Sequence, residues 1–380
     1  MASLAAVGYD SAPKVQARAE ILWTKPICVE TNRYIGWPSV CRLRNGDILA
    51  VFSGDRDHHV CPYGKVQMVR STDDGETWSA PATIASTVLD DRDAGIVQMP
   101  DGEVIVTWFT SLAYLTPNVL KIRPDFKRHH EKIDKAAAKA ALGDFLIRSR
   151  DNGKTWSKPE KLSNYAQTPH GPILLRDGAL LEIGRTSGAN SRTIIKVSRS
   201  TDAGRTWQVL CSEISDMNGE NDKPSMFHEP HVAELSDGSL VGLVRYHGPD
   251  NCMRMTLSRD GGRTWTPMVK TPMVGLPPHL LVLPDGKLVN VYGRRIEEAG
   301  FGEFACISDD GGRTWDVENE ISLAPSHCGD LGYPASVLLP DGTILTVFYQ
   351  QAAPKQKPCL MATKWRVRCL YGSMVKKPQN

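Results

Sequence analysis

One octapeptide pattern, Ser-x-Asp-x-Gly-x-Thr-Trp, recurs five times along the chain. The copies are STDDGETW from Ser71, SRDNGKTW from Ser149, STDAGRTW from Ser200, SRDGGRTW from Ser258 and SDDGGRTW from Ser308. Each copy predicts a tight turn, because the Asp can accept backbone N–H bonds, the Gly can adopt a positive φ and the Trp can pack between sheets. Such repeats indicate similar sheet units rather than two or three unrelated domains.

A second repeat joins two apolar runs through an Asn-Gly or Asp-Gly pair, which predicts a β-hairpin with a two-residue turn. The six pairs are Asn45-Gly46, Asp101-Gly102, Asp177-Gly178, Asp237-Gly238, Asp285-Gly286 and Asp341-Gly342. Five of the hairpins precede an octapeptide, so each unit is interpreted as a four-stranded antiparallel blade. We therefore predict an all-β, six-bladed β-propeller that forms one domain over residues 1–380. Outer strands near Cys359–Val367 and Ala19–Cys28 are expected to complete the sixth blade.

The longest interval between turns, from Gly102 to Asp177, holds a predicted helical insertion at about 112–142 in the second blade. Its later part, Pro124–Leu142, is rich in Ala and Lys and predicts a surface helix with Asp125 as a candidate N-cap. Two interpretations are open: a solvated decoration, or a lid over the mouth of the channel.

Composition excludes several classes of function. The formal net charge is +2, so no bulk attraction to nucleic acid or membranes is expected, and no apolar run approaches the length of a membrane span. The nine cysteines include no CxxC pair and are interpreted as buried small hydrophobes in a reducing compartment. A cytoplasmic location is expected, or a secreted or periplasmic one if a signal peptide was removed. No cofactor or metal is implied, and the oligomeric state stays open.

Hairpin geometry places candidate site residues at one end of the propeller. The start of each first strand and the end of each second strand lie opposite the hairpin tip, so all of them should ring one mouth. The polar and aromatic candidates at these ends are Trp37, Arg56, Arg92, His170, Arg185, Glu229, His231, Arg245, His279, Arg295, Tyr333 and Gln350. Converging arginines predict an anionic ligand such as an acidic sugar. Alternatively, they pair with acidic residues between blades.

These segments resemble the sialidase superfamily, in which the octapeptide is called the Asp box and the fold is a six-bladed propeller. HEPHVAELSDGSL, from His228, is similar to the segment that carries the family's catalytic Glu, which implies that role for Glu229. Arg245 matches one of three carboxylate-binding arginines. LGYPASVLLPDGTILTVFYQ, from Leu331, is similar to the segment with the nucleophilic Tyr, which implies Tyr333. The resemblance implies that this Tyr attacks the anomeric carbon after activation by the Glu.

The chain departs from the family pattern at three places. The family's Arg-Ile-Pro motif reads Gly36-Trp37-Pro38, and a Glu at the end of the last hairpin reads Gln350. The acid/base Asp is expected in the loop after the first hairpin, where Asp57 is our candidate beside Asp55, His58 and His59. Arg295, with Arg294 beside it, is the candidate for the remaining family Arg.

We expect an exo-acting glycoside hydrolase that releases terminal sialic acid from sialylated glycans. Glu229 could be the base for Tyr333, which retains anomeric configuration, or the general acid with Gln350 or Gln351 positioning water, which inverts it. One alternative is a lyase or hydrolase of uronic-acid polysaccharide, with His231 and Tyr333 as base and acid. Another is a propeller that binds acidic sugars without turnover.

Overall fold

A computed structural model describes residues 14–187, 192–217, 219 and 226–368. These residues form six antiparallel sheets, which confirms the predicted all-β six-bladed propeller. The strands are numbered along the chain. The first three blades, from the innermost strand outwards, are β3 (Tyr34–Arg42), β4 (Ile48–Arg56), β5 (Lys65–Ser71) and β6 (Ala82–Ala85); β7 (Asp90–Gln98), β8 (Val104–Ser111), β9 (Asp144–Ser149) and β10 (Glu160–Lys161); and β11 (Ile173–Leu174), β12 (Leu180–Ser187), β13 (Thr193–Ser200) and β14 (Gln208–Cys211).

The fourth and fifth blades continue this order. They are β15 (Phe227–Glu234), β16 (Leu240–Tyr246), β17 (Cys252–Ser258) and β18 (Val269–Val274); and β19 (Leu276–Val282), β20 (Leu288–Arg294), β21 (Gly302–Ser308) and β22 (Ile321–Pro325). The hydrophobic core lies between neighbouring blades. Phe52 of the first blade, for example, shares a cluster with Val347 of the sixth, so each blade buries apolar surface against the next.

Both ends of the chain complete the sixth blade. Its inner strands are β23 (Gly332–Leu338) and β24 (Ile344–Gln350), followed outwards by β25 (Cys359–Val367), β2 (Ala19–Cys28) and β1 (Lys14–Val15). Ala19 pairs with Val367, and Cys28 with Leu360. The predicted closure is therefore confirmed: β2 covers the outer edge of β25, which would otherwise be open.

The hairpin turns differ from the expected two-residue type. In the first hairpin, Leu43 N donates to Asp47 O at 2.7 Å and Gly46 N donates to Leu43 O at 3.0 Å. Gly46 has a φ of 95°, whereas Asn45 is not among the positive-φ residues, so this is a type I turn followed by a left-handed glycine. The Asn45 side chain accepts from Asp47 N instead. The other five hairpins repeat the pattern with Asp in place of Asn.

The Asp boxes bind their own backbone and brace the neighbouring blade. Asp73 accepts from the backbone and the hydroxyl of Thr77, and these hydrogen bonds overcome slight burial to lower its pKa to about 2. Gly75 has a φ of 87°, and a Cβ there would lie 2.8 Å from Leu345 of the sixth blade. Only glycine suits this position, since it combines a left-handed backbone with close contact to the next sheet.

The insertion in the second blade consists of three short helices that pack on the mouth. They are α1 (Pro117–Ile122), α2 (Asp125–His130) and α3 (Lys135–Ala141), and a 3-10 turn at Ala113–Leu115 precedes them. Buried Tyr114 and Phe126 pack on Cys61, in the loop that follows β4. The insertion therefore packs against that loop and is not a decoration surrounded only by solvent.

The predicted helix cap was wrong. Asp125 lies inside the first turn of α2 and pairs with Arg123, while Pro124 occupies the N-cap. The capping carboxylate belongs to Asp134, which accepts from Ala137 N at the start of α3. Among the described residues, no helix is both long and apolar enough to cross a membrane.

Candidate active site

A repeated backbone irregularity builds the mouth of the channel. The innermost strands β3, β7, β15 and β23 each skip register against their partners, after Gly36, Arg92, His228 and Gly332 respectively. Within each skip one non-glycine residue has a positive φ: Trp37 at 56°, Asp93 at 51°, Glu229 at 41° and Tyr333 at 54°. Such bulges re-aim a side chain, and strained backbone of this kind concentrates at functional sites.

Glu229 and Tyr333 form the centre of the site. The Tyr333 hydroxyl donates to Glu229 Oε1 at 2.5 Å, and Arg245 Nη1 pairs with Glu229 Oε2 and lies 3.5 Å from the Tyr333 oxygen. Burial by itself would raise the pKa of Glu229, but Arg245 and the Tyr333 hydroxyl outweigh it and lower that pKa to about 2. Burial, together with the charge of Glu229, holds the pKa of Tyr333 well above its usual value. The pair is therefore a carboxylate and a neutral phenol.

Arg295 completes this side of the mouth. Its Nε donates to Leu331 O at 2.8 Å and its Nη2 donates to Tyr349 Oη at 3.0 Å, and its guanidinium lies 5.6 Å from the centre of the Tyr333 ring. The neighbouring Arg294 pairs instead with Glu320 and stacks on Phe304. The structure therefore brings Arg295, and not Arg294, to Tyr333.

The opposite side of the mouth is built around Trp37, which is completely buried. The guanidinium of Arg92 lies 4.1 Å from the centre of the Trp37 ring, and that of Arg56 lies 4.7 Å from it. The ring of His59 meets Trp37 edge-on at 4.9 Å. Where the resembling family has an arginine, this chain therefore places an aromatic ring that holds two other arginines through cation–π contact.

Asp93 is a site residue that the sequence analysis missed. It is 5% exposed, and burial raises its pKa to about 6 even though Arg92 opposes the shift. Together with Glu229 and Arg185 it lines a small pocket of about 30 Å³. Aligning the inner strands on Trp37-Pro38, Glu229-Pro230 and Tyr333-Pro334 would have identified Asp93, which occupies the same bulged position in the second blade.

Arg56 was expected to bind substrate, and the structure corrects this. Arg56 and Asp90 are both fully buried, and two nitrogens of the guanidinium donate to the two Asp90 oxygens at 2.5 and 3.0 Å. Because the fork of Arg56 is filled by a carboxylate of the next blade, Arg56 joins the first two blades. This was the alternative that the sequence left open for each arginine.

The expected acid, Asp57, lies outside the cluster. Its carboxylate pairs with the guanidinium of Arg33 at 2.6 Å, and Arg33 also binds Asp55. His59 of the same loop lies at the mouth instead, since its Nδ1 is 2.8 Å from Tyr34 Oη. The loop predicted to carry the acid is thus in the right place, but a different side chain approaches the site.

Gln350 also lies away from Glu229 and Tyr333. Its Nε2 is 3.5 Å from Pro325 O, between the fifth and sixth blades. Gln351 pairs through Oε1 with His327 Nε2 at 3.0 Å. Neither amide is hydrogen-bonded to Glu229 or Tyr333, so the structure does not bring the predicted partner of an inverting reaction to this pair.

The three predicted histidines pack together near Tyr333. The His231 ring stacks on His279 with centres 4.3 Å apart, and His170 meets His279 edge-on at 5.0 Å and lies 6.5 Å from the Tyr333 ring. Burial lowers all three pKa values, that of His279 to about 4. His231 Nδ1 accepts from Leu280 N, so of its two ring nitrogens only Nε2 could serve as the base of the lyase alternative. No three metal-ligating side chains converge within the described ranges.

Arg185 reaches the mouth from the third blade. Its Nη1 lies 2.5 Å from His228 Nδ1, and its Nη2 donates to Gln167 Oε1 at 3.1 Å. Since Arg185 lines the same small pocket as Asp93 and Glu229, it remains a candidate ligand for substrate.

A family model described as BNR repeat-like domain matches residues 126–347, which is more than half of the chain. The chain belongs to this family. A curated sialidase of Clostridium perfringens is 22% identical over 307 residues, which cover 80% of this chain and 65% of that protein. The resemblance to the sialidase superfamily, predicted from the Asp boxes, is thereby confirmed. The chain spans less than two thirds of the length of the curated relatives it matches.

Solved structures show the same fold. A protein of unknown function from Dyadobacter fermentans superposes with a TM-score of 0.76 at 25% identity, over 92% of this chain and 99% of that one. The NanB sialidase of Streptococcus pneumoniae superposes with a TM-score of 0.65 at 14% identity, over 89% of this chain and 68% of that one. The propeller is therefore shared across proteins of very different sequence.

Proposed function

We propose that this propeller is an exo-acting glycoside hydrolase that releases terminal sialic acid from sialylated glycans. The observation that carries the proposal is the 2.5 Å hydrogen bond from Tyr333 to Glu229, with Arg245 and Arg295 beside it. Relatives that are named sialidases support the substrate class. An acidic sugar suits the pair of arginines, because a guanidinium can fork two hydrogen bonds to a carboxylate.

The reaction begins when the Tyr333 oxygen attacks the anomeric carbon and its proton passes to Glu229. A neutral phenol is a suitable nucleophile here, since an anionic carboxylate would be repelled by the carboxylate of the substrate. Arg245 holds Glu229 ionised in the free protein. When the substrate's carboxylate binds Arg245, it competes for that guanidinium, so Glu229 becomes a stronger base at the moment its proton is needed.

The geometry favours retention of anomeric configuration. A covalent intermediate on Tyr333 followed by hydrolysis is a double displacement, and it needs the nucleophile and its base in contact, as they are. Inversion would need a second group to hold water across the sugar ring, and the amides of Gln350 and Gln351 contact Pro325 and His327 rather than Glu229 or Tyr333. The sugar first released should therefore have the anomeric configuration of the substrate.

The test is release of fluorophore from an α-sialoside by the wild type, by Glu229→Gln and by Glu234→Gln. Glu234 is the matched control: it lies on the same strand, and its carboxylate binds the backbone of Arg176 away from the site. We expect Glu229→Gln to lower kcat by roughly 10²- to 10⁴-fold, the usual contribution of a general base, and Glu234→Gln to leave it unchanged.

Two other outcomes would redirect the proposal. If the wild type releases no fluorophore but generates the absorbance of an unsaturated uronate from polysaccharide, the protein is a lyase. If it binds the sialoside and neither variant nor wild type turns it over, it is a binding module. An NMR time course on the wild type separates retention from inversion, and an inverted first product would overturn the role of Tyr333.

A further inference from the structure

A pocket of about 470 Å³ adjoins the mouth of the channel and is separate from the Glu229–Tyr333 pair. It lies between the loop after β4, helix α1 and the loop between β24 and β25. Its walls include apolar Val119, Ile122 and Pro358, and Tyr34, His59 and Asp330 line it as well. The insertion of the second blade thus supplies one wall of a second cavity at the site.

His59 stands between this pocket and the catalytic cluster. It lines the pocket, and its ring also meets Trp37, whose own ring centre lies 6.3 Å from that of Tyr333. The side chain of His59 is 47% exposed, so a ligand can reach it. In contrast, Asp93 lines the small pocket shared with Arg185 and is not among the residues that line the larger cavity.

The hydrogen bonds of His59 define which nitrogen can act. Tyr34 has one hydroxyl proton, which it donates to Asp330 Oδ1 at 2.7 Å. Its oxygen therefore accepts from His59 Nδ1, which lies 2.8 Å away and carries a proton. His59 Nε2 has no hydrogen-bond partner among residues 14–187, 192–217, 219 and 226–368, so it is the nitrogen available to a ligand. An Asp–Tyr–His chain thus fixes the ring and its tautomer.

We propose that His59 is the general acid and base of this hydrolase and that the adjoining pocket receives the leaving group of the substrate. The proposal rests on the proposed function, because it supplies the proton transfer that the Tyr333–Glu229 pair does not perform. It also accounts for the absence of an Asp at the mouth end of this loop, where Asp57 is occupied by Arg33.

The proposed steps balance as follows. As Tyr333 bonds to the anomeric carbon and gives its proton to Glu229, the glycosidic C–O bond breaks and its electron pair goes to the departing oxygen. That oxygen takes the Nε2 proton of protonated His59 and leaves as an alcohol. Water then gives a proton to His59 and attacks the anomeric carbon, and the Tyr333 oxygen departs and recovers its proton from Glu229.

Several charged groups around His59 set the pH range of this role. Burial and the charges of Arg92 and Arg295 lower the pKa of His59 below its usual 6.5, while Asp330 opposes them. Since the first step needs the protonated ring, kcat/KM for a glycan should fall as the pH rises through that lowered pKa. Because burial raises the pKa of Asp93 to about 6, the pH profile must be measured in an Asp93→Asn variant as well.

The test compares substrates with different leaving groups. The fluoride of sialyl fluoride needs little protonation to leave and does not occupy the pocket. The lactose of sialyl-lactose needs a proton to leave and occupies the pocket. We expect His59→Gln to lower kcat/KM for sialyl-lactose by about 10² or more and for sialyl fluoride by less than about tenfold. His129→Gln, on helix α2 and outside the lining of the pocket, is the control and should behave as the wild type. Azide should restore turnover of the fluoride by His59→Gln and yield a sialyl azide of retained configuration.

A second variant tests the pocket without touching His59. Val119→Trp fills one wall, so it should raise KM for sialyl-lactose and leave sialyl fluoride unaffected. Equal losses on both substrates in His59→Gln, or a basic pH limb that disappears in Asp93→Asn but persists in His59→Gln, would overturn the proposal. Its failure is distinct from failure of the proposed function, in which the wild type would hydrolyse neither substrate.

Discussion

The mouth of this propeller has two sides. Both are built on bulged inner strands with a positive-φ residue, but these residues carry different chemical groups. On the side of the fourth to sixth blades, the bulged positions hold Glu229 and Tyr333, which are hydrogen-bonded to each other and flanked by arginines. On the side of the first and second blades, the same positions hold Trp37 and Asp93. The bulge aims a side chain at the channel, and the residue at each bulge decides what that side chain does.

The two sides also differ in electrostatics. Arg245 lowers the pKa of Glu229, so this carboxylate is ionised at all ordinary pH values. Burial raises the pKa of Asp93, so this carboxyl holds its proton until the pH approaches 6. The first side holds the residues for which the sequence resemblance implied catalytic and carboxylate-binding roles, and the second is built around the aromatic ring of Trp37. In the proposals above, the first side makes the bond to the sugar, and the second side supplies proton transfer through His59 and adjoins the pocket for the leaving group.

The largest effect is expected for Tyr333→Phe, which removes the oxygen that bonds to the sugar. We expect kcat on a fluorogenic sialoside to fall by roughly 10³-fold or more. Tyr349→Phe is the control, because Tyr349 binds Arg295 and makes no hydrogen bond to Glu229; its effect should be at least tenfold smaller. Similar losses in the two variants would contradict a nucleophilic role for Tyr333.

A large loss of stability, rather than of binding, is expected for Arg56→Met on the second side. Removing one partner of a buried ion pair costs about 3–5 kcal/mol in the free energy of unfolding, since buried Asp90 would lose its two close hydrogen bonds and keep only Arg92, at 3.7 Å. Arg33→Met removes a partly exposed pair and should cost less than about 1 kcal/mol. Urea unfolding measures both. If Arg56→Met left the free energy of unfolding unchanged and raised KM, Arg56 would be a substrate-binding residue instead.

The carboxyl groups of the two sides should affect stability with opposite sign. The pKa of Asp93 is about 6 in the folded protein, above its value in the unfolded chain. Its contribution to the free energy of unfolding is therefore most favourable at low pH and is lost as the pH rises through 6. Asp93→Asn should therefore raise the free energy of unfolding at pH 7 by up to about 3 kcal/mol and change little at pH 3.5.

Glu229 should show the reverse. Its folded pKa is about 2, below the unfolded value, so it stabilises the protein above about pH 4.5 and that contribution is lost as the pH falls to 2. Glu229→Gln should therefore lower stability at pH 7. Denaturant titrations of both variants at pH 3.5 and 7 provide the measurement, and shifts of the same sign would remove the electrostatic contrast between the two sides.

The smallest of these effects concerns the carboxylate of the substrate. Arg295→Lys keeps the charge but loses the planar fork, so KM for a sialoside should rise about 10- to 100-fold, as expected for a charged hydrogen bond worth 1.5–3 kcal/mol. Arg294→Lys is a matched control one residue away, because Arg294 is bound to Glu320 outside the site. A rise in KM in both variants would indicate a structural rather than a binding effect.

The repeats alone determined the architecture. Asp boxes and hairpin turns are local features, whose residues bind backbone groups within five positions, so they predicted six blades and the closure by Ala19–Cys28 and Cys359–Val367 without distant contacts. Hairpin geometry also predicted that Glu229, Tyr333, Arg245 and Arg295 lie at one mouth, because it brings the strand ends together whatever side chains they carry.

Only the tertiary structure decided which of these side chains face a ligand. The sequence places Arg56, Asp57 and Gln350 at or near strand ends beside the mouth. Each side chain instead contacts a partner from another strand or loop: Arg56 pairs with Asp90, Asp57 with Arg33, and Gln350 with the backbone of Pro325. Asp93 and His59 became site residues because a bulge and a contact with Trp37 hold them there. Sequence specifies which residues reach an end of a sheet, but competition among neighbours from separate blades decides where each side chain points.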